Sequence, residues 1–167
     1  MPSSEKRFFL TILVLSDLHG KEANMRRALD LQSRADYVFF LGDGYEAAER
    51  LATAENAPCF VGVRGNCDAF FCNAPEDMTL DLEGVRIFLH HGHTSGVKHG
   101  LGGACAEDLR HEADICLFGH THEPFLSYEQ VEGRKPFYLF NPGSIGAGQY
   151  GIIEIRRGEA LLSHGTL

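Results

Sequence analysis

Five short apolar runs in this chain each give out in a cluster of Gly, Asp, Asn or His. Residues 8–15 run into Ser16-Asp17-Leu18-His19-Gly20, residues 37–41 into Gly42-Asp43-Gly44, and residues 59–63 into Arg64-Gly65-Asn66-Cys67-Asp68. Residues 85–89 run into His90-His91-Gly92-His93, and residues 115–118 into Gly119-His120-Thr121-His122. Runs of four to eight apolar residues bounded by turn formers have the length of buried strands. In open α/β sheets the carboxyl ends of strands face the ligand crevice, so the five clusters are expected to converge in one place.

What lies between the runs fixes the class. Residues 22–32 and 45–54 carry helical spacing, with Ala23, Met25, Ala28, Leu29 and Leu31 placed near one side of the first. Strand alternating with helix predicts parallel β-α-β units. The second half changes character. Residues 78–82 and 85–89 flank Glu83-Gly84 as a hairpin with a two-residue turn. A helix is expected over 104–112, then a strand over 115–118, a hairpin-like pair at 125–131 and 136–140, and a last pair at 151–155 and 159–163. The simplest assembly is two packed mixed sheets with helices outside, one domain spanning 1–167.

Composition narrows the partners. A chain of 167 residues that is 44% hydrophobic can bury one substantial core. Its 15 Lys and Arg against 23 Asp and Glu leave a net charge of -8, which disfavours loose binding to nucleic acid or an anionic membrane. A phosphate substrate therefore needs a local positive site. Cys59, Cys67, Cys72, Cys105 and Cys116 are scattered without a C-x-x-C pair, the pattern of reduced thiols in a cytoplasmic protein. Lys6-Arg7 before the first apolar run mimics a signal peptide, but the run continues directly into Ser16-Asp17 without a cleavage site and is read as a first strand. No apolar run approaches the ~18 residues that cross a bilayer.

The polar clusters supply Asp17, His19, Asp43, Asn66, His91, His120 and His122. Carboxylate, amide oxygen and imidazole together suit Mn, Fe, Zn, Co or Ni, and no thiolate is needed. Seven donors exceed one small divalent ion and match two if a carboxylate bridges them. Taken singly, each motif has an equally good reading as turn chemistry; taken in order, each at a strand end, they form a set.

That ordered set resembles the calcineurin-like metallophosphoesterase superfamily, whose series D-x-H, G-D, G-N-H-[D/E], H-G and G-H-x-H stands here as Asp17-Leu18-His19, Gly42-Asp43, Gly65-Asn66-Cys67-Asp68, His91-Gly92 and Gly119-His120-Thr121-His122. Size, the Gly65-Asn66-Cys67-Asp68 segment and Asn141-Pro142-Gly143-Ser144 look most like its small branch of YfcE-type phosphodiesterases. The resemblance implies an α/β fold of four layers, α-β-β-α, and two divalent metal ions per chain, manganese foremost. Carried over by position, Asp17, His19 and His122 would hold one ion, Asn66, His91 and His120 the other, and Asp43 would bridge them. Two such ions share and ionise a water for in-line attack on a small phosphate ester. The implied activity is phosphodiesterase, with a phosphomonoesterase or a noncatalytic scaffold of the same fold as alternatives; a nuclease is disfavoured for want of a basic face.

Three departures sharpen the reading. Cys67 stands where many relatives have a histidine that serves the leaving oxygen; a thiol with a reference pKa of about 8.5 is mostly neutral at pH 7, so weaker general acid catalysis of leaving-group departure is expected. His93 either reaches the substrate and partly takes over, or is a loop histidine. No arginine follows Asn141-Pro142-Gly143-Ser144 before Arg156, so a phosphate-contacting arginine from that loop is missing. Asp68 either orients an imidazole or shapes a turn, and Asn141 and Ser144 either line the pocket or form a turn. His90 is expected buried and structural, and His99, His111 and His164 on the surface. Edge strands near the C-terminus leave a homodimer open.

Overall fold

A computed structural model of the chain describes residues 9–53 and 58–167. Phe8 and Ala54, at the ends of two predicted elements, and the Lys6-Arg7 pair lie outside the described residues.

The first apolar run forms β1 (Leu10–Leu15), and its residues serve two cores in alternation. Ile12 and Val14 enter a cluster with Phe39, Leu41 and Val63 from the same sheet and Val85, Ile87, Leu89, Ile115 and Leu117 from a second one. Leu13 and Leu15 point the other way, to Met25, Ala28, Ala48 and Ala52. A strand buried on both faces has little use for polar residues, which is why the run is apolar except at the partly buried Thr11.

The first sheet has the order β10-β9-β1-β2-β3, with β2 (Tyr37–Phe40) and β3 (Cys59–Gly62) parallel to β1 and β9 (Gln149–Arg156) antiparallel to it. β10 (Glu159–Thr166) closes its edge. The second sheet has the order β4-β5-β6-β8-β7. Its centre, β5 (Val85–His90), β6 (Ile115–Leu117) and β8 (Phe137–Asn141), is parallel, flanked by antiparallel β4 (Asp77–Leu82) and β7 (Phe125–Glu129). Helices α1 (Glu22–Leu31) and α2 (Tyr45–Ala52) cover the outer face of the first sheet. α3 (Gly102–His111) covers the second, where Ala104 packs with Phe88, Cys116, Phe137 and Leu139. The result is the expected α-β-β-α sandwich of two mixed sheets.

Local chemistry explains the connections. Glu83 and Gly84 both take positive φ, 48° and 82°, as a two-residue turn matched to the strand twist requires. Differences from expectation are small and physical. α3 begins two residues early, after a 3-10 turn over Val97–His99. On α1 only Met25 and Ala28 are buried, with Leu29 partly covered; at 3.6 residues per turn Ala23 and Leu31 fall outside that stripe, and both are exposed. No helix among the described residues is long and apolar enough to cross a membrane.

Candidate metal centre

The five polar clusters meet at the carboxyl ends of β1, β2, β3, β5 and β6, held by backbone bonds between loops. Asp17 N–H donates to the Gly42 carbonyl, Leu18 N–H to that of Asp43, and Gly119 N–H to that of His91, at 3.0, 2.9 and 3.0 Å. The backbone there is strained. Eight non-glycine residues among those described have positive φ, and five of them are Asp17, His19, Asp43, His120 and His122. Such conformations cost of order 1–3 kcal/mol each and persist only where the surroundings impose them. Glycine makes room beside them: a Cβ on Gly65 would sit 2.1 Å from Asp43 Oδ1, and one on Gly119 2.0 Å from Ser16 Oγ.

Each carboxylate has one satisfied oxygen and one aimed inward. Asp17 Oδ2 accepts from Ser16 Oγ at 2.6 Å and from the His120 N–H at 3.1 Å. Its Oδ1 is buried, accepts no hydrogen bond, and lies 3.1 Å from His122 Nε2 and 3.8 Å from His19 Nε2. Asp43 Oδ1 accepts the Cys67 N–H at 2.8 Å, while Oδ2 faces His91 Nε2 at 3.4 Å and His19 Nε2 at 3.7 Å.

The imidazoles are oriented to match. Buried His91 donates from Nδ1 to the Leu41 carbonyl at 2.6 Å, which turns Nε2 towards Asn66 Oδ1, 3.1 Å away, and the two carboxylates. His19 and His122 bring their Nε2 atoms within 3.2 Å of each other. With Asp17 Oδ1 left without a hydrogen bond and imidazole nitrogens turned towards both carboxylates, the cluster has the donor set of a cation site. The donor atoms that lie close enough to hold an ion fall into overlapping groups: Asp17, His19 and His122; Asp43, His91 and His120; and His19, Asp43 and Cys67.

Protonation follows the same geometry. Burial alone would raise the Asp43 carboxyl, but the His91 hydrogen bond and charge and the Cys67 N–H outweigh it and hold the group well below the usual carboxylate range. His91 moves up, since Asp43 and Asp17 outweigh its burial. His120 is pushed down to about 4 by burial and by the charges of His91 and Lys98. The Cys67 thiol is raised by desolvation and by Asp43, so it stays neutral.

Other expected residues take definite places. The His93 ring stands 5.5 Å from His91 and 6.2 Å from His120, with Nδ1 buried and unbonded and its basicity lowered by burial and His91. Asp68 orients no imidazole: its carboxylate accepts the N–H groups of Asp43, Gly44, Tyr45 and Gly65 at 2.7–3.0 Å, capping α2 from another loop. Asn141 and Ser144 are buried and brace the site. Asn141 Nδ2 donates to the Gly119 carbonyl and to Thr121 Oγ1, both at 3.0 Å, and Ser144 Oγ to the Asp17 carbonyl at 2.9 Å. His90 is buried against Cys116 and pushed down to about 3 by that burial and by the charge of His91, as expected of a structural histidine. His99 is exposed. His164 is exposed on β10, as expected, and bonds the Asn141 carbonyl at 2.7 Å, whereas the surface expectation for His111 is corrected: it is partly buried and stacks on Phe88 with centroids 4.0 Å apart. Arg64, which the motif series passes over, donates to the Phe70 carbonyl and pairs with Glu76 at 2.9 Å. Arg156 lies on β9 beside Ile155, which pairs with Leu10 at the far end of β1 from Asp17.

A two-sheet sandwich with oxygen and nitrogen donors massed at its strand ends is the framework of a metal-dependent phosphoesterase. The chain belongs to the calcineurin-like phosphoesterase superfamily, whose domain model matches residues 10–158. It is 31% identical to a probable metallophosphoesterase, YsnB of Bacillus subtilis (strain 168), over 139 residues, which is 81% of this chain and 75% of that protein. Among solved structures, a predicted phosphoesterase from Streptococcus pneumoniae TIGR4 superposes with a TM-score of 0.73 at 27% identity, covering 95% of this chain and 90% of the other. A structure described as a novel archaeal phosphodiesterase gives 0.69 at 20% identity, over 93% and 99% of the two chains, a likeness of fold.

Proposed function

We propose that the protein hydrolyses small phosphodiesters at a centre of two divalent metal ions, manganese foremost, with Asp17, His19 and His122 on one ion, Asn66, His91 and His120 on the other, and Asp43 between them. The observation that carries this reading is the buried Asp17 Oδ1, which accepts no hydrogen bond and faces imidazole nitrogens. Iron, zinc, cobalt or nickel would meet the same donors. When bound, such ions supply an activated water near neutral pH and positive charge for the nonbridging phosphate oxygens.

The chain's own groups do the positioning. The Leu41 carbonyl fixes the His91 tautomer, and Cys67 N–H fixes the rotation of the Asp43 carboxylate. A second-layer partner of this kind typically matters 10- to 100-fold. Cys67, neutral and exposed, is a weak proton donor beside the site. His93 flanks two of the imidazoles, where its ring would help shape the pocket beside the leaving group. The arrangement favours esters whose leaving group needs little protonation.

The test is hydrolysis of bis(p-nitrophenyl) phosphate and p-nitrophenyl phosphate by metal-stripped protein with and without Mn2+, beside Asp43→Asn. Metal-dependent diester turnover that falls at least about a thousandfold in Asp43→Asn, a loss of ~4 kcal/mol, is expected. No turnover of either ester by protein carrying two ions per chain would overturn the reading in favour of a scaffold.

A further inference from the structure

The loop that delivers Asn66 also carries the two most exposed large apolar side chains described, Phe70 at 90% and Phe71 at 84% relative accessibility. A pair of aromatic rings left in water beside a catalytic cleft is a liability unless something covers it. The loop is not loose. Arg64 N–H bonds the Pro75 carbonyl across its base at 2.9 Å, Cys72 N–H bonds the Ala69 carbonyl at 2.9 Å, and Cys72 and Ala74 are buried beneath it. The small apolar residues therefore anchor the loop while the two large ones project. Phe70 is also supported from one side: the Arg64 guanidinium lies 5.7 Å from its ring centroid and donates to its carbonyl at 3.1 Å. Arg64 is close enough for its charge to act on the His93 imidazole, which in turn stands 5.5 Å from His91. Phe70 also follows by three residues Cys67, whose Sγ lies among the candidate ligand atoms, which puts the pair on the Asn66 side of the centre.

We propose that Phe70 and Phe71 form a stacking platform for an aromatic base, so that the substrate is a nucleotide-type phosphate ester with its base on this loop and its phosphate at the metal centre. The proposal rests on the phosphoesterase reading of that centre and adds the substrate class. Base stacking on aromatic side chains tolerates any base, because each presents a π face, and contributes about five- to a hundredfold in affinity. With a net charge of -8 the chain does not attract polynucleotides at long range, so a mononucleotide or short nucleotide ester is the matching ligand. Phe71, without a described partner ring, supplies the second face or edge.

The experiment measures binding without turnover. Calorimetry on Mn2+-loaded protein compares two phosphonates in which a methylene replaces the ester oxygen, one the analogue of AMP and the other of ribose 5-phosphate. Wild type is expected to bind the base-bearing compound about tenfold more tightly. The variant F70L/F71L, which keeps the apolar surface but not the rings, should lose that preference while binding ribose 5-phosphonate unchanged, and F70Y/F71Y should retain it. Equal affinities in wild type, or a preference that survives in F70L/F71L, would overturn the proposal. So would a wild-type dimer in sedimentation that F70L/F71L makes monomeric, which would assign the rings to a second copy. Failure of the phosphodiesterase reading shows separately, as no hydrolysis of thymidylyl-(3′,5′)-thymidine while the base preference in binding stands.

Discussion

The two ends of the parallel strands hold comparable numbers of charged groups and treat them in opposite ways. At the amino ends of β5 and β6, beside a surface hollow of about 710 Å³, charges are matched within the chain. Arg86 pairs with Asp81 at 2.9 Å, Arg134 with the buried Asp108 at 2.9 Å, and Lys135 with Asp114, whose Oδ2 also accepts the Arg86 N–H. At the carboxyl ends, Asp17 and Asp43 turn oxygens towards imidazole nitrogens, and five backbones in left-handed conformations hold them there. Matched charges stabilise the fold by themselves; unmatched, strained donors are tolerated because a ligand completes them. The hollow's cations are committed to partners within the chain, whereas the donors left for a ligand stand at the other end.

That contrast can be broken by crossing two substitutions. Asp43→Asn is expected to abolish metal-dependent turnover, by the thousandfold or more stated above, while the protein stays folded at 25 °C. Arg134→Ala is expected to do the reverse. It removes the partner of a buried carboxylate, the bond to the Ala113 carbonyl and the stacking on Phe137, for a loss of ~3–5 kcal/mol. Urea denaturation and kcat/KM measured on both variants check this. A large loss of activity in folded Arg134→Ala would erase the division between the two ends.

Asp68→Ala sharpens the comparison from within the metal end. It strands the four N–H groups that Asp68 accepts, three of them at the start of α2 and the other beside Asn66. Since the group is half-buried and water can replace part of the loss, ~2 kcal/mol of stability is expected. Metal affinity, read by calorimetry, should weaken as the Asp43 and Asn66 loops loosen together. Asp68→Asn, which keeps an acceptor oxygen, should recover part of both.

How much of this was legible in the sequence depends on whether a residue's role is local. The strands and their terminal clusters were, because a strand buried on both faces must be largely apolar and ends where polar chemistry begins. The series of Asp, Asn and His donors followed from the same boundaries. Asp68 was not, because its partners at positions 43 to 45 become neighbours only when two loops close on each other. For Asn141 and Ser144 the sequence left pocket lining and turn formation both open for the same reason: what they brace, the Gly119 and Asp17 carbonyls, comes from distant segments. His111 carries no pattern that announces a ring stacked on Phe88, and Phe70-Phe71 looks like any apolar pair until its exposure is known.

The smallest expected effect concerns the one imperfection at the matched end. Asp108 Oδ2 is paired with Arg134, but Oδ1 is buried with no partner, and burial pushes the carboxyl up to about 7 despite the guanidinium. A carboxyl raised in the folded state above its unfolded value near 3.8 binds a proton more tightly when folded. Its contribution to stability is therefore full below the unfolded pKa and is lost as pH rises through about 7. Between pH 5.5 and 8 the wild type should lose ~1–2 kcal/mol from this group. Asp108→Asn, which cannot ionise and keeps an oxygen for Arg134, should flatten the stability profile over that window by the same amount. Urea denaturation of both proteins at the two pH values measures the difference. Parallel profiles would mean that Asp108 is ionised throughout and that Arg134 alone satisfies it, making the matched end complete.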